Sequence, residues 1–264
     1  MPVAITAHFV LPPVFVDWFA ARGWVPRAHQ MSLLELAAAR RSALLIAPTG
    51  AGKTLAGFLP SLIDLHAEEG AGKGLHTLYI SPLKALAVDV KRNLETPIAE
   101  MGLSISIETR TGDTPQNRRQ RQRRDPPRIL MTTPEQLALL LSYPDAGEFF
   151  GTLQCVVLDE LHALANSKRG DLLSLGLSRL AILAPEMRRV GLSATVAEPV
   201  ELRRYLMPQI GGEEVLSEVV VAPPGAVPEI DILVPYGPES DEGETPRIPW
   251  SGHSARHALG GVYG

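Results

Sequence analysis

The chain has 264 residues, 45% of them hydrophobic, and a net charge of −4, which together indicate an ordinary globular protein. No apolar run approaches the roughly 18 to 20 residues of a membrane-spanning helix, and the N-terminal stretch lacks the basic region of a signal peptide. The single cysteine, Cys155, lies in an apolar run and excludes an internal disulfide. We therefore expect a cytoplasmic protein without membrane partners.

The first predicted strand, Ala43–Ala47, runs directly into the sequence APTGAGKT, and a helix is predicted from Thr54 to His66. A strand, a glycine-rich loop and a helix N-terminus in this order form a cradle for phosphate groups, because backbone N–H groups and the helix dipole attract anions. The strict phosphate-loop pattern has glycine where Ala47 stands. Lys53 is expected to reach the β- and γ-phosphates, and the Thr54 hydroxyl to ligate Mg²⁺. The residues expected to bind the nucleotide here are Thr49, Gly50, Ala51, Gly52, Lys53 and Thr54.

Further short apolar runs alternate with stretches of helical period through residue 206. The strand predictions are Ala43–Ala47, Thr77–Ser81, Ser104–Glu108, Ile129–Thr132, Val156–Asp159 and Val190–Ser193. The helix predictions are Thr54–His66, Leu83–Glu100, Pro134–Leu141 and Leu172–Leu183. Continuous apolar strands suit a sheet that is buried on both faces. The sequence therefore predicts an α/β fold, a doubly wound and mainly parallel sheet with helices on both faces, as in P-loop NTPases.

Charge is distributed unevenly along the chain. Six arginines lie between Arg118 and Arg128, whereas residues 211–264 hold nine acidic and two basic residues. A basic run of this kind can follow a nucleic-acid backbone, and it can equally be a solvated helix face. Both interpretations stay open.

The fifth predicted strand ends in Asp159-Glu160-Leu161-His162, and the sixth ends in Ser193-Ala194-Thr195. A carboxylate at the carboxyl end of a central strand lies beside the phosphate loop in this architecture. We expect Asp159 to hold Mg²⁺, and Glu160 to orient and polarise the attacking water. The hydroxyls of the Ser193–Thr195 segment are expected to contact the 159–162 segment.

Taken in order, APTGAGKT, SPLKALA (81–87), TRTGDT (109–114), TTPEQL (132–137), DELH (159–162) and SAT (193–195) resemble the motifs of superfamily 2 helicases. Within that group the chain resembles the Lhr-type DNA helicases, in particular the ligase-associated DEXH-box branch. Residues 75–94 and 159–180 carry the most specific likeness, which runs from about Leu11 to the C-terminus.

The resemblance implies a RecA-like lobe with bound ATP and Mg²⁺ and further site residues. Gln30 is expected to read the adenine edge. His162, Ser193 and Thr195 are expected to couple the nucleotide site to the nucleic-acid side. The residues that the resemblance places along one nucleic-acid strand are Lys84, Arg110, Gly112, Asp113, Thr133, Pro134, Glu135 and Arg169.

The chain is expected to divide at residue 210. Residues 1–210 form the ATP-binding lobe, and residues 211–264 hold possible edge strands at Val215–Val221 and Ile230–Pro235, an acidic linker at 237–249 and the start of a second lobe. We expect that second lobe to be missing, and with it the arginines that stabilise the transferred phosphoryl group.

The sequence leaves three candidate functions for this chain. The first is the ATP- and DNA-binding motor lobe of an ATP-dependent DNA helicase acting on single-stranded or partly duplex DNA, with little ATP hydrolysis by this chain alone. Its 3′-to-5′ polarity, its DNA-repair role and a DNA ligase or nuclease partner are implied by the resemblance only. The second is a non-motor module, gated by nucleotide, that binds nucleic acid or protein. The third is an unrelated phosphate-loop enzyme such as a kinase, against which the order of the later motifs argues.

Overall fold

A computed structural model of the chain describes residues 9–68, 72–194, 196, 198–209, 211–212 and 214–223. Its strands are β1 (Ala43–Ile46), β2 (Thr77–Ile80), β3 (Ile107–Arg110), β4 (Ile129–Thr132), β5 (Cys155–Leu158), β6 (Arg188–Ser193) and β7 (Glu218–Val221). Its helices are α1 (Pro13–Ala21), α2 (Ala28–Ala38), α3 (Lys53–Ala67), α4 (Lys84–Glu100), α5 (Gln116–Arg124), α6 (Pro134–Leu141), α7 (Ala146–Phe150), α8 (Leu161–Ala165), α9 (Lys168–Leu183) and α10 (Pro199–Leu206).

The strands form one seven-stranded sheet in the order β3-β4-β2-β5-β6-β1-β7, and every pair of neighbours is parallel. Crossover helices between parallel strands cover both faces of the sheet. The fold class predicted from the sequence is confirmed.

Two apolar layers hold the helices on the sheet. Strand β1 shows how one short run supplies both, because Leu45 belongs to the layer with Phe58 of α3, and Leu44 belongs to the layer with Leu173 of α9. Successive side chains of a strand point to opposite faces. This is why the strands are continuously apolar, with all four residues of β1, β2, β4 and β5 buried.

The prediction of the third strand is wrong by about three residues. The strand is Ile107–Arg110 rather than Ser104–Glu108, and its first residue pairs with Ile129 of β4. Because β3 is an edge strand and mostly half-buried, its apolar run is a poor guide to its position. The shift carries Arg110 into the strand.

Other differences arise at helices. Helix α9 begins at Lys168, four residues before the predicted start, because the Ser167 hydroxyl accepts a hydrogen bond from the Gly170 N–H at 3.1 Å and caps the helix. Helices α1, α2, α5, α7, α8 and α10 were not predicted. Helix α5 consists of arginine, glutamine and asparagine, so it has no apolar period to detect.

Strand β7 lies beyond the boundary expected at residue 210, yet it pairs with β1 at the edge of the same sheet. The sheet therefore extends past residue 210, and the division at that point stays a prediction. The predicted strand at Ile230–Pro235, the acidic linker and Thr195 lie outside the described residues. Among the helices that the structure describes, none combines the length and the apolar character needed to cross a bilayer.

Candidate nucleotide site and nucleic-acid surface

The sheet order divides the predicted site residues into two groups along the carboxyl edge of the sheet, which is the side where the parallel strands end. Strands β1, β5 and β6 are neighbours, and their carboxyl ends carry the phosphate loop, the 159–162 segment and Ser193. Strands β3, β4 and β2 are also neighbours, and their carboxyl ends lead into the segments 110–114, 133–135 and 81–84. Ligand sites of open parallel sheets lie outside the carboxyl ends of the strands. The predicted nucleotide residues and the predicted nucleic-acid residues therefore occupy adjacent halves of this edge.

The phosphate loop has the backbone shape that its glycines permit. Gly50 and Gly52 have φ angles of 78° and 74°, in the left-handed region that favours glycine. Gly52 is the N-cap of α3 and no side chain caps that helix. The first N–H groups of α3 are therefore left for an anion. The Lys53 ammonium donates a hydrogen bond to the Ala47 carbonyl at 2.9 Å, across the loop.

Helix α2 begins against this loop and places Gln30 there. The Gln30 side chain is buried, and its amide oxygen accepts a hydrogen bond from the Arg27 N–H at 2.8 Å. A Cβ at Gly52 would lie 3.3 Å from the Gln30 amide nitrogen. An amide oxygen has two lone pairs, so one lone pair and the amide nitrogen are left to pair with a base.

Two neighbours of Gln30 that we did not predict also contact the loop. A His29 ring nitrogen lies 3.0 Å from the Ala51 carbonyl oxygen, and Arg27 donates to the Gly50 carbonyl at 3.3 Å. Burial lowers the pKa of His29, so the neutral ring is favoured. These contacts join residues more than twenty positions apart, and no local pattern marks them.

Asp159 lies at the end of β5 and is 5% exposed. The Tyr79 hydroxyl donates a hydrogen bond to its Oδ2 at 2.5 Å, and the Glu160 N–H donates to its Oδ1 at 2.9 Å. Both oxygens of the carboxylate therefore have a donor from the protein. Tyr79 is a further member of this site that sequence reasoning missed, because a tyrosine within an apolar run is typical of a core residue.

The next residues form a polar chain towards β6. Glu160 has a φ angle of 47°, which is rare for a residue other than glycine. Its carboxylate lies 3.3 Å from Nε2 of His162, and Nδ1 of His162 lies 2.9 Å from the Ser193 hydroxyl. The contact expected between the 159–162 segment and the end of β6 is thus present at Ser193.

The residues present fit a magnesium nucleotide. The loop turns at Gly50 and Gly52, whose positive φ angles would strain any residue with a Cβ. The first turn of α3 has uncapped N–H groups. Thr54 and Asp159 offer two oxygen ligands, and the described residues contain no group of three or more metal-binding side chains. Oxygen ligands of this kind suit Mg²⁺, which is bound through one or two carboxylates, substrate phosphates and water.

In the other half of the edge, Lys84 joins two of the predicted nucleic-acid segments. Its ammonium lies 3.0 and 3.1 Å from the two Asp113 carboxylate oxygens, and both side chains are exposed. Gly112 lies beside Lys84, because a Cβ added to this glycine would be 3.3 Å from the Lys84 ammonium nitrogen. The segments after β2 and β3 therefore meet at the surface.

Arg110 does not lie on this surface. Its side chain is 1% exposed, and one of its guanidinium N–H groups donates to the Arg119 carbonyl at 3.1 Å. Burial lowers its pKa. The prediction that the Arg110 side chain contacts nucleic acid is not compatible with this conformation, because Arg110 is the buried last residue of β3 and not part of the loop that follows.

Arg119 on α5 organises the loop after β3. It donates to the carbonyls of Thr111, Gly112 and Thr114 at 3.1, 2.6 and 2.7 Å. Three hydrogen bonds from one guanidinium to carbonyls of the 111–114 segment hold the shape of this loop. Arg119 itself is only partly exposed.

The other arginines of the cluster are largely paired within the chain. Arg118 and Arg121 bind Glu108, Arg123 binds Asp145, and Arg128 binds Glu68. Burial alone would raise the pKa of Glu108, but hydrogen bonds from Gln122 and the two arginines lower it below its usual range. The cluster is therefore neither a freely solvated face nor a row of unpaired cations.

The last predicted segment starts α6. Thr133 and Pro134 are buried, whereas Glu135 is exposed. Arg169 of α9 donates to Glu135 and to the Pro82 carbonyl. The hydrogen bond from Arg169 lowers the pKa of Glu135 to about 2. Arg169 thus connects the segments after β2 and β4.

A sequence model of the DEAD/DEAH box helicases matches residues 27–202. The chain is 41% identical over 251 residues to a Lhr helicase/uracil glycosylase of Escherichia coli, covering 88% of this chain and 16% of that protein. It is 37% identical over 238 residues to an ATP-dependent helicase Lhr-Core of Methanothermobacter thermautotrophicus, covering 85% of this chain and 27% of that protein.

The fold is similar to that of a Mycobacterium smegmatis helicase Lhr solved with single-stranded DNA and AMP-PNP. The TM-score is 0.72 at 38% sequence identity, over 81% of this chain and 28% of that one. The chain thus spans between about a sixth and about a quarter of the length of these relatives. The resemblance to Lhr-type helicases seen in the sequence is confirmed.

Proposed function

The chain belongs to the DEAD/DEAH box helicase family, and from that membership we propose that it is the ATP- and DNA-binding first motor lobe of an ATP-dependent DNA helicase or translocase. The single observation that carries the proposal is the sheet order. It brings the phosphate loop, Asp159–Glu160 and Ser193 together at one half of the carboxyl edge, beside the 81–84, 110–114 and 133–135 segments.

In the proposed nucleotide site, Lys53 exchanges the Ala47 carbonyl for phosphate oxygens, and the first N–H groups of α3 bind the phosphate chain. Mg²⁺ held by Thr54 and Asp159 would neutralise charge on the phosphates. Glu160 orients the attacking water and accepts its proton. Gln30 pairs with adenine through its amide nitrogen and the second lone pair of its oxygen.

His162 is proposed to transmit the state of Glu160 to β6. It lies between the Glu160 carboxylate and the Ser193 hydroxyl, so movement of Glu160 on hydrolysis alters both contacts. Thr195 is proposed to act with Ser193.

On the nucleic-acid half we propose contacts to the phosphate backbone, without sequence readout. Lys84 and the backbone of Gly112 and Asp113 supply one set of donors. The N–H groups of Thr133 and Glu135, at the start of α6, supply a second set, with Arg169 beside them. A strand bound in this way is single-stranded or partly duplex DNA.

Hydrolysis is proposed to need a second lobe that faces this edge. An arginine donated across such an interface can raise the rate by roughly 10³- to 10⁵-fold. Within the described residues, no arginine makes a hydrogen bond or ion pair with the 159–162 segment or the phosphate loop apart from Arg27, which contacts the Gly50 carbonyl. We therefore expect this chain to bind nucleotide and to hydrolyse it slowly.

Polarity of 3′ to 5′, a role in DNA repair, and a DNA ligase or nuclease as partner are proposed from the resemblance alone, as is a place in the cytoplasm. Co-purification of the tagged chain with its cellular ligase tests the partner.

The test of the nucleotide site is Lys53→Ala, which removes the ammonium that spans the loop. We expect binding of a fluorescent ATP analogue to weaken by at least about tenfold, since a charge-assisted hydrogen bond contributes roughly 1.5 to 3 kcal/mol. Lys91→Ala is the control, because Lys91 pairs with Glu95 on α4, away from the loop. Equal affinity of the two variants would contradict the assignment.

Turnover separates the motor from a non-motor binding module. A motor lobe gains DNA-stimulated ATP hydrolysis when a second lobe is supplied, whereas a binding module gains none. Strong stimulation by single-stranded DNA in this chain alone would contradict the need for a second lobe.

A further inference from the structure

Tyr79 makes a long-range contact with the proposed magnesium-binding carboxylate. Its hydroxyl donates to Oδ2 of Asp159 at 2.5 Å, although the two residues are 80 positions apart. The tyrosine side chain is 0% exposed.

The sheet brings the two residues together. Tyr79 of β2 lies beside Val157 of β5, and Asp159 follows Val157 by two residues. Residues of neighbouring parallel strands in register point to the same face, and so do residues two apart. Tyr79 and Asp159 therefore lie on the face that α3 covers.

Helix α3 fixes the ring of Tyr79. Phe58 stacks on it with ring centroids 5.4 Å apart and an angle of 30° between the planes. Phe58 is also fully buried and lies one helical turn after Thr54. The ring is thus held between the helix that begins at the phosphate loop and the carboxylate at the end of β5.

We propose that Tyr79 is a positioning residue for Asp159. The Glu160 N–H and the Tyr79 hydroxyl each hold one oxygen of the carboxylate, so both hydrogen bonds oppose rotation of the group. Each oxygen keeps a second lone pair for Mg²⁺ or its bound water. Partners of this kind orient metal ligands, and their loss weakens metal affinity. This inference rests on the proposed nucleotide–magnesium site.

The test is Tyr79→Phe, which retains the ring that packs on Phe58 and removes only the donor. We expect the Mg²⁺ concentration that half-saturates binding of a fluorescent ATP analogue to rise about tenfold, the lower range for such partners. Affinity for the same analogue in EDTA should stay unchanged. A purely structural role of Tyr79 would change both.

Tyr205→Phe is the matched control. The Tyr205 hydroxyl donates to the Gly170 carbonyl at 2.6 Å, and Tyr205 packs against the other apolar layer. This variant also loses one partly buried hydroxyl but has no contact with Asp159, so its Mg²⁺ dependence should equal that of the wild type. Circular dichroism and the unfolding midpoint of all three proteins establish that each is folded.

The outcomes separate the two proposals. If the wild-type chain fails to bind the analogue at all, the proposed nucleotide site is wrong. If the wild type binds and responds to Mg²⁺ but Tyr79→Phe has the same response, only the inference about Tyr79 is overturned. A shift of equal size in Tyr205→Phe overturns it as well.

Discussion

At the scale of single residues, the site depends on backbone angles that few residue types adopt. Gly52 has a φ angle of 74°, and a Cβ added to it would lie 3.3 Å from the Gln30 amide nitrogen. Glu160 adopts a φ angle of 47° without being glycine. Strain of this kind persists where the surrounding contacts over-determine the conformation, as the hydrogen bond from the Glu160 N–H to Asp159 does.

Replacing Gly52 with alanine should weaken nucleotide binding and stability together. The left-handed angle costs an alanine about 1 to 2 kcal/mol, and the new Cβ would press on Gln30. Urea unfolding and titration with a fluorescent nucleotide measure the two effects.

Gly102→Ala is the control for that substitution. Gly102 has a φ angle of 64° after α4, with nothing within 4 Å of its absent Cβ. We expect a similar loss of stability and an unchanged nucleotide affinity. If both variants lowered nucleotide affinity equally, the effect at Gly52 would come from stability alone.

At the scale of elements, α5 holds the loop after β3 in place. Its arginines bind Glu108 of β3, Asp145 before α7, and the carbonyls of the loop after β3. The loop that carries Gly112 and Asp113 is therefore held by the hydrogen bonds of Arg119 on α5 and by the ion pair between Lys84 and Asp113. A helix without any apolar period is stable here because its charges are satisfied by tertiary partners.

Arg119→Ala and Lys84→Ala should differ in how salt affects DNA binding. Lys84 is a proposed phosphate contact, so its loss should reduce the slope of log K against log salt by about 0.7, the value for one contact to a single strand. Arg119 acts through the loop, so its loss should lower affinity at every salt concentration with the slope unchanged. Fluorescence anisotropy with labelled single-stranded DNA measures both.

Arg124→Ala is the control for Arg119. Arg124 is exposed in the last turn of α5 and has no hydrogen bond or ion pair among the described residues. Its removal should leave the 110–114 loop unchanged. A reduced slope in Arg119→Ala would mean that Arg119 itself contacts phosphate.

At the scale of the whole molecule, the two edges of the sheet differ in chemistry. The carboxyl edge carries the proposed site, whereas the amino edge holds a polar group around the buried His76, just before β2. Asp64 of α3 lies 3.9 Å from its ring, and Arg188 binds the same carboxylate at 2.5 Å. The arginine and the aspartate there belong to packing between α3 and β6.

This amino edge should make stability depend on pH. Burial, the largest effect, lowers the pKa of His76 from 6.5 to about 4, against the opposing charge of Asp64. Between these values the unfolded chain binds a proton that the folded chain excludes. The free energy of unfolding should therefore fall as pH falls from 6.5 to 4, by up to about 1.4 kcal/mol per pH unit.

His76→Gln removes that proton uptake. Urea unfolding at pH 7 and pH 5 should give a smaller difference in the variant than in the wild type, although the variant is less stable at pH 7. Comparing the two proteins cancels the contribution of carboxylates that titrate in the same range. An unchanged difference would mean that His76 is protonated in the folded chain.

Much of the site was predictable from sequence because its parts are local. The residues Gly50, Gly52, Lys53 and Thr54 form one continuous loop, and a glycine-rich loop between a strand and a helix has one main use. Asp159 and Glu160 are adjacent at the end of an apolar run. The parallel sheet was predictable for a similar reason, since buried strands between helical stretches must be continuously apolar.

The tertiary structure decided which predicted residues are exposed and which contacts hold them. Arg110 is buried because β3 pairs with β4 in a register that its own weakly apolar sequence does not specify. Tyr79 meets Asp159 because β2 and β5 are neighbours in the sheet, although they are not neighbours in the chain. The sequence by itself determined the local chemistry of the site, because the loop and its carboxylates depend on adjacent residues. Strand order and register determined the contacts between distant residues, because these depend on how the whole sheet packs.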